Sequence, residues 1–157
     1  MQALMTIVTL SFLCFGVQAK DILVKVNLSP AGSFEIKSKS IKGKIIRKGS
    51  ELMTSGISVK VKKLKTGLEL RDDHLHKKLG KSSKIEIVSA KASGGKGTAK
   101  IKIKGVTKSV PFKYTDKGKE VLIKFALSLA KFGIKGINYA GVGVKDKVTI
   151  RASLPVK

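Results

Sequence analysis

The chain has 157 residues, enough for one domain with one core, since domains commonly run ~100–200 residues. Its 33 Lys and Arg outnumber 10 Asp and Glu, and the formal net charge of +23 gives a surface that attracts polyanions. A hydrophobic fraction of 42% excludes wholesale disorder, and 16 Gly with 3 Pro exclude a collagen-like or low-complexity chain.

Residues 1–19 carry no acidic or basic side chain and are almost wholly apolar from Leu4 to Val17, which predicts a secretory signal peptide. Val17-Gln18-Ala19 supplies small residues for a leader peptidase, so the expected mature domain is 20–157, in the periplasm or secreted. The apolar run is shorter than the ~20 residues of a comfortable membrane span. Cys14, the one cysteine, lies in this leader behind Leu13, where lipoprotein processing prefers a small residue.

From Ile22 onward, apolar and polar residues alternate with period 2, Lys repeatedly taking the outward place. Strands are predicted at Ile22–Leu28, Phe34–Lys39 and Ile41–Lys48, and then at Ile57, Val59 and Val61, which alternate with Ser58, Lys60 and Lys62. Glu69–Leu79 breaks the pattern: it has no β-branched residue and sets Leu70, His74 and Leu75 at helical spacing. A short helix is predicted there, starting at Asp72 or Asp73 and stopped by Gly80. Strands resume at Lys84–Ala90, Thr98–Lys104, Lys108–Thr115, Glu120–Leu129 and Lys147–Leu154. About nine short strands with Gly-bearing turns predict an antiparallel sandwich or closed barrel.

Asp72, Asp73, His74 and His76 are the densest group of potentially catalytic side chains. Two histidines two residues apart diverge on a helix, and the mature chain has no third His or Cys to complete a zinc site. Capping by the Asp pair and a surface or packing role for the histidines is the favoured reading. There is no Gly-x-Ser-x-Gly elbow, and Gly80-Lys81-Ser82 follows a helix where a phosphate loop needs a strand. No enzyme activity, metal or cofactor is expected. All but three of the basic residues are Lys, and the aromatic residues fall mostly on apolar faces, so specific nucleic-acid recognition is not expected either.

Four segments resemble motifs of the YceI-like family of exported polyisoprenoid-binding proteins. Lys65-Thr-Gly-Leu-Glu-Leu-Arg-Asp-Asp-His-Leu75 is similar to its Arg-Asp-x-His signature, which carries over Arg71, Asp72, His74 and Leu75. Ile103-Lys-Gly-Val-Thr-Lys-Ser-Val110 resembles a strand turn of the family at Gly105, Val106 and Thr107. Lys131-Phe132-Gly133-Ile134 resembles its Phe-Gly motif, with Lys131 where the family has an acid, and Val142–Ile150 resembles its closing strand. The resemblance spans roughly Phe34 to Lys157 and implies an extended, lipocalin-like antiparallel β-barrel of about eight strands with one short helix near residues 70–79.

The resemblance also implies an apolar lumen that holds a long isoprenoid or similar lipid. Inward candidates from the alternation are Ile57, Val59, Val61, Ile85, Ile87, Ile101 and Ile103 in the first half of the barrel. In the second half they are Val110, Phe112, Val121, Ile123, Phe125, Leu127, Val148 and Ile150. Alternation alone is equally consistent with a core filled by these side chains. The expected function is non-enzymatic binding, transport or sequestration of an apolar lipid in the bacterial envelope. The alternative is a cationic adhesion or scaffolding module that meets anionic polymers or membrane surfaces through its lysines. The sequence is as compatible with a homodimer as with a monomer.

Overall fold

The computed structural model describes residues 20–139 and 141–157, so the expected leader, with its cleavage site after Ala19, lies outside the described residues. Six strands come first: β1 (Asp21–Ser29), β2 (Ser33–Ser38), β3 (Ile41–Gly43), β4 (Ile46–Lys48), β5 (Glu51–Thr54) and β6 (Ile57–Lys60). A 3-10 turn (Val61–Lys63) and helix α1 (Glu69–Leu79) follow. The second half holds β7 (Lys84–Ser93), β8 (Lys96–Ile103), β9 (Val106–Asp116), β10 (Glu120–Ser128), a 3-10 turn (Leu129–Phe132), β11 (Asn138–Tyr139) and β12 (Val142–Pro155).

All these strands join one antiparallel sheet in the order β2-β1-β12-β10-β9-β8-β7-β5-β4, with β6 pairing both β7 and β3. Curling brings the ends of the sheet back together. Lys37 and Lys65 exchange backbone hydrogen bonds of 2.7 and 2.9 Å, and Ile45 is tied to the C-terminus by Lys157 N–H donating to its carbonyl at 2.9 Å. The expected antiparallel barrel with one short helix is therefore the fold.

The described residues form twelve strands, not about eight or nine, because one predicted strand is cut in two and two short ones are added. Ile41–Lys48 divides at Gly43, whose φ of 104° suits only glycine and whose α-carbon lies against the backbone of Gly56 and Ile57. The bend lets β3 pair with β6 while β4 pairs with β5. Alternation from Ile57 also stops early: Val61 opens the 3-10 turn, where it is buried. β5 and β11 were not predicted; with four and two residues they are too short to show a period.

Helix α1 begins at Glu69, before the predicted start, and its N-cap Leu68 makes no side-chain capping bond. Asp72 does not cap the helix. Its carboxylate reaches back to accept hydrogen bonds from the Thr66 N–H at 2.6 Å and the Thr66 hydroxyl at 2.7 Å, closing the loop that leads in. Asp73 stays exposed. Gly80 ends the helix as expected, at φ 88°.

Two irregularities aim side chains inward. Val88 is an extra residue between the pairs Ile87–Ile101 and Ser89–Lys100, so the inward series runs Ile85, Ile87, then Ala90 and Ala92. In β12, Lys145–Lys147 bulge between the pairs Leu28–Val144 and Val26–Val148. The bulge presents Asp146, which accepts from Ser128 Oγ at 2.6 Å and Ala130 N–H at 2.7 Å and so holds the second 3-10 turn. Phe132, from that turn, is 2% exposed, and Gly133 ends the turn in the left-handed region.

One barrel end is tied by Arg47 of β4, which reaches Asp116 at the end of β9 with both guanidinium arms, at 2.5 and 2.8 Å, and the Gly118 carbonyl at 3.0 Å. The Arg47 hydrogen bonds, with help from Gly118 N–H, lower the Asp116 pKa from 3.8 to about 2. A carboxylate depressed in the folded state adds stability above its unfolded pKa of ~3.9 and loses it as pH falls towards the folded value. Arg47→Gln is therefore expected to unfold at lower urea than the parent at pH 6, with the gap narrowing between pH 4 and 2. A gap of constant width over that range would show that the pair does not couple to folding.

Candidate lipid-binding site

The barrel interior divides into a filled half and a hollow one. In the filled half, Ile45, Leu52, Ala92, Val121, Ala152 and Leu154 close up around Phe112, Tyr114 and Ile123, leaving a void of only about 40 Å³. Gly97 makes that closure feasible, because a Cβ there would collide with the Phe112 ring and with Ala92. In the hollow half the wall stands back and encloses a cavity of about 660 Å³.

β1 supplies Ile22, Val24, Val26 and Leu28 to the cavity wall, a period-2 series along its whole inner face. β12 answers with Val144, Val148 and Ile150, and β10 with Phe125 and Leu127. Helix α1 lies against the opening with one stripe turned to it: Leu68, Arg71, His74, Leu75, Lys78 and Leu79. Those residues recur at i, i+3, i+4 and i+7, the spacing of one helical face. The stretch from Ile134 to Val142 completes the wall through Ile134, Gly136, Ile137 and Asn138.

Of the inward candidates, Ile57, Val59, Ile85, Ile87, Ile101, Ile103, Phe125, Leu127, Val148 and Ile150 lie on this wall. Five do not. Val110, Phe112, Val121 and Ile123 point into the filled half, where Phe112 and Tyr114 take up the space, and Val61 is buried in its 3-10 turn, away from the wall. The sequence reading missed the inner faces of β1 and β2, including Phe34 and Ile36, and the stretch 134–142. For β1 the signal was present as plain alternation; for Ile134–Ile137 there was none, because that backbone forms no regular element.

The motif residues split between wall and scaffold. Arg71 lies with its guanidinium carbon 4.3 Å from the centre of the Phe34 ring, which joins α1 to the start of β2 at the cavity. His74 and Leu75 are wall residues. Asp72 and His76 face the other way: His76 is buried, and its Nε2–H donates to the Leu64 carbonyl at 2.8 Å. Burial would raise the Asp72 pKa, but the Thr66 hydrogen bonds and nearby Lys65 outweigh it, leaving the carboxyl below its ordinary value. Gly105, with Lys104, forms the two-residue turn between β8 and β9, and Val106 and Thr107 start β9, so none of them reaches the cavity wall. Phe132 and Gly133 brace the second 3-10 turn, and Ile134 follows into the wall.

Chemically the wall is apolar, with Ser58, Asn138, Arg71, His74 and Lys78 as its polar groups and no carboxylate among the described residues. The described residues hold no cluster of three or more His, Cys, Asp or Glu suited to a metal ion, and no helix long and apolar enough to cross a membrane. A volume of about 660 Å³ falls within the ~300–1,000 Å³ usual for small-molecule sites.

Two solved structures share this architecture. One is a polyisoprenoid binding domain from Saccharophagus degradans implicated in plant cell wall breakdown, 10% identical with a TM-score of 0.59, the match covering 87% of this chain and 92% of that one. The other is BcnA of Burkholderia cenocepacia, 15% identical with a TM-score of 0.61, covering 87% and 96%. At these identities the likeness is one of fold. No curated protein sequence matches the chain. The sequence model of the YceI-like domain matches residues 14–156, nearly the full length, and with the four motifs in place on this barrel the chain belongs to the YceI-like family.

Proposed function

We propose that the protein binds a long apolar lipid, a polyisoprenoid or similar amphiphile, inside the hollow half of its barrel, and carries or sequesters it in the bacterial envelope without transforming it. The observation that carries this reading is the cavity of about 660 Å³, walled by aliphatic side chains from β1, β10, β12 and α1. The polyisoprenoid-binding domain from Saccharophagus degradans supports the ligand class through its shared fold. The predicted leader supports the compartment.

The energetics permit tight binding without a polar anchor. Burial contributes roughly 0.8 kcal/mol per CH₂, so about twenty buried carbons give about 16 kcal/mol gross. Association costs about 4–15 kcal/mol, which places the net affinity in the micromolar to nanomolar range for favourable cases.

Native mass spectrometry of protein isolated gently from its own host tests the proposal. The expected spectrum shows a stoichiometric adduct of several hundred daltons that organic solvent extracts. A bare polypeptide that also takes up no added isoprenoid would overturn it and favour the lysine exterior as the functional surface.

A further inference from the structure

The exposed part of the cavity wall is confined to two segments. Among the wall residues, those open to solvent are Leu68, Leu70 and His74 at the start of α1, and Gly136, Asn138 and Val142 in the stretch leading to β12. The mouth of the cavity therefore lies between these segments. Six large apolar side chains are exposed among the described residues, and three of them, Leu68 at 56%, Leu70 at 57% and Val142 at 38%, stand at this mouth. The other three, Ile46, Val88 and Leu122, lie elsewhere on the barrel.

The charged residues of the cavity wall itself are all basic. Arg71 and Lys78 stand in the wall itself, and Lys135 is the sole charged residue between Ile134 and Val142. No carboxylate of α1 belongs to the wall: Asp72 is buried against Thr66, and Glu69 and Asp73 are exposed outside it. Exposed apolar fingers beside basic groups match the two layers of an anionic lipid surface, where the acyl boundary accepts the leucines and the headgroups pair with the cations.

We propose that the protein docks mouth-down on an anionic lipid bilayer, inserting Leu68, Leu70 and Val142 at the headgroup boundary so that cargo passes between membrane and cavity without crossing water. This extends the lipid-binding reading by assigning a membrane-facing surface to the carrier. The general lysine exterior would hold the protein near the membrane in any orientation; the leucines select one.

The sequence contains no Trp, so single-Trp variants report orientation directly. Leu70→Trp is expected to shift to the blue and to be quenched by brominated lipid in phosphatidylglycerol vesicles, with little response in phosphatidylcholine. Leu122→Trp, on the flank of the barrel, is expected to respond to neither. Leu68→Asp with Leu70→Asp should lower retention on phosphatidylglycerol vesicles at 0.15 M salt at least fivefold, and Leu122→Asp should leave it within twofold.

Equal responses at positions 70 and 122, or none at 70, would overturn the docking proposal. A parallel measurement of isoprenoid uptake from detergent by the unaltered protein separates the two readings. Uptake with no response at position 70 leaves the carrier and removes the docking surface. A response at 70 without uptake does the reverse.

Discussion

Replacing Phe125 by Asp is expected to abolish lipid retention while leaving the barrel folded. Phe125 sits on β10 opposite Ile150, half-buried, where the hollow half meets the filled one. In the unloaded protein a carboxylate there stays hydrated, because the cavity is open between α1 and the stretch 136–142. An apolar chain entering would strip that water and offer no hydrogen bond in return, a cost of several kcal/mol for an ionised group. About 3 kcal/mol corresponds to a loss of more than 100-fold in affinity. Phe125→Leu, which keeps the wall apolar, should retain uptake within about tenfold.

Ile101 offers the harsher version of the same test. It is 3% exposed and packed on both the cavity and the small void, so Ile101→Asp would place a charge where water does not reach and would threaten folding itself. Displacement of a fluorescent isoprenoid, with thermal melting followed by circular dichroism, distinguishes a folded protein that cannot bind from an unfolded one. Unchanged uptake in a folded Phe125→Asp protein would place the lipid outside this cavity.

The fold was legible wherever strands are long and wet on one side. Ala99, Ile101 and Ile103 are buried and Lys100, Lys102 and Lys104 exposed, as alternation requires of a sheet with one face in water. It was illegible where the backbone breaks the period. The bulge at Val88 resets which residues face inward with no local composition to announce it, and the bend at Gly43 changes which strand the chain pairs with.

The site was legible in part for the same reason. Inward-facing residues could be named from period 2, but period 2 does not distinguish a filled barrel from a hollow one. That division depends on long-range packing: Phe112 nests where Gly97 leaves room and fills one half, while in the other half α1 spans the opening and does not descend into it. The motif Arg71-Asp72-Asp73-His74 falls beside the cavity, but its division of labour does not show in the sequence. Its helical spacing turns Arg71 and His74 to the cavity and Asp72 to the scaffold beneath, which only the placement of the Thr66 loop reveals.

That scaffold role makes Asp72→Ala the second large effect. The Asp72 side chain is one of few buried charged groups among the described residues, and it accepts from the Thr66 N–H and hydroxyl while standing 3.7 Å from Lys65 Nζ. Removing it strands the Thr66 N–H at the foot of α1 and leaves the hydroxyl only the Leu68 carbonyl at 3.2 Å, with hydrogen bonds to a charged acceptor contributing about 1.5–3 kcal/mol. A loss of about 2–3 kcal/mol is expected, which lowers Tm by about 10 °C in a domain of this size. Asp72→Asn keeps an acceptor oxygen and should lose about half as much. Because the Thr66 bonds hold the folded carboxyl below its ordinary pKa, the stabilisation is present above about pH 4 and is lost as pH falls through the folded value, so the parent and Asp72→Ala should converge in acid. Since the same loop sets the position of Leu68 and Arg71 at the cavity mouth, the variant should also release bound lipid faster while still folded at 20 °C. A variant that melts with the parent and holds lipid as long would show that α1 is positioned by its apolar contacts with Leu75 and Leu79 alone.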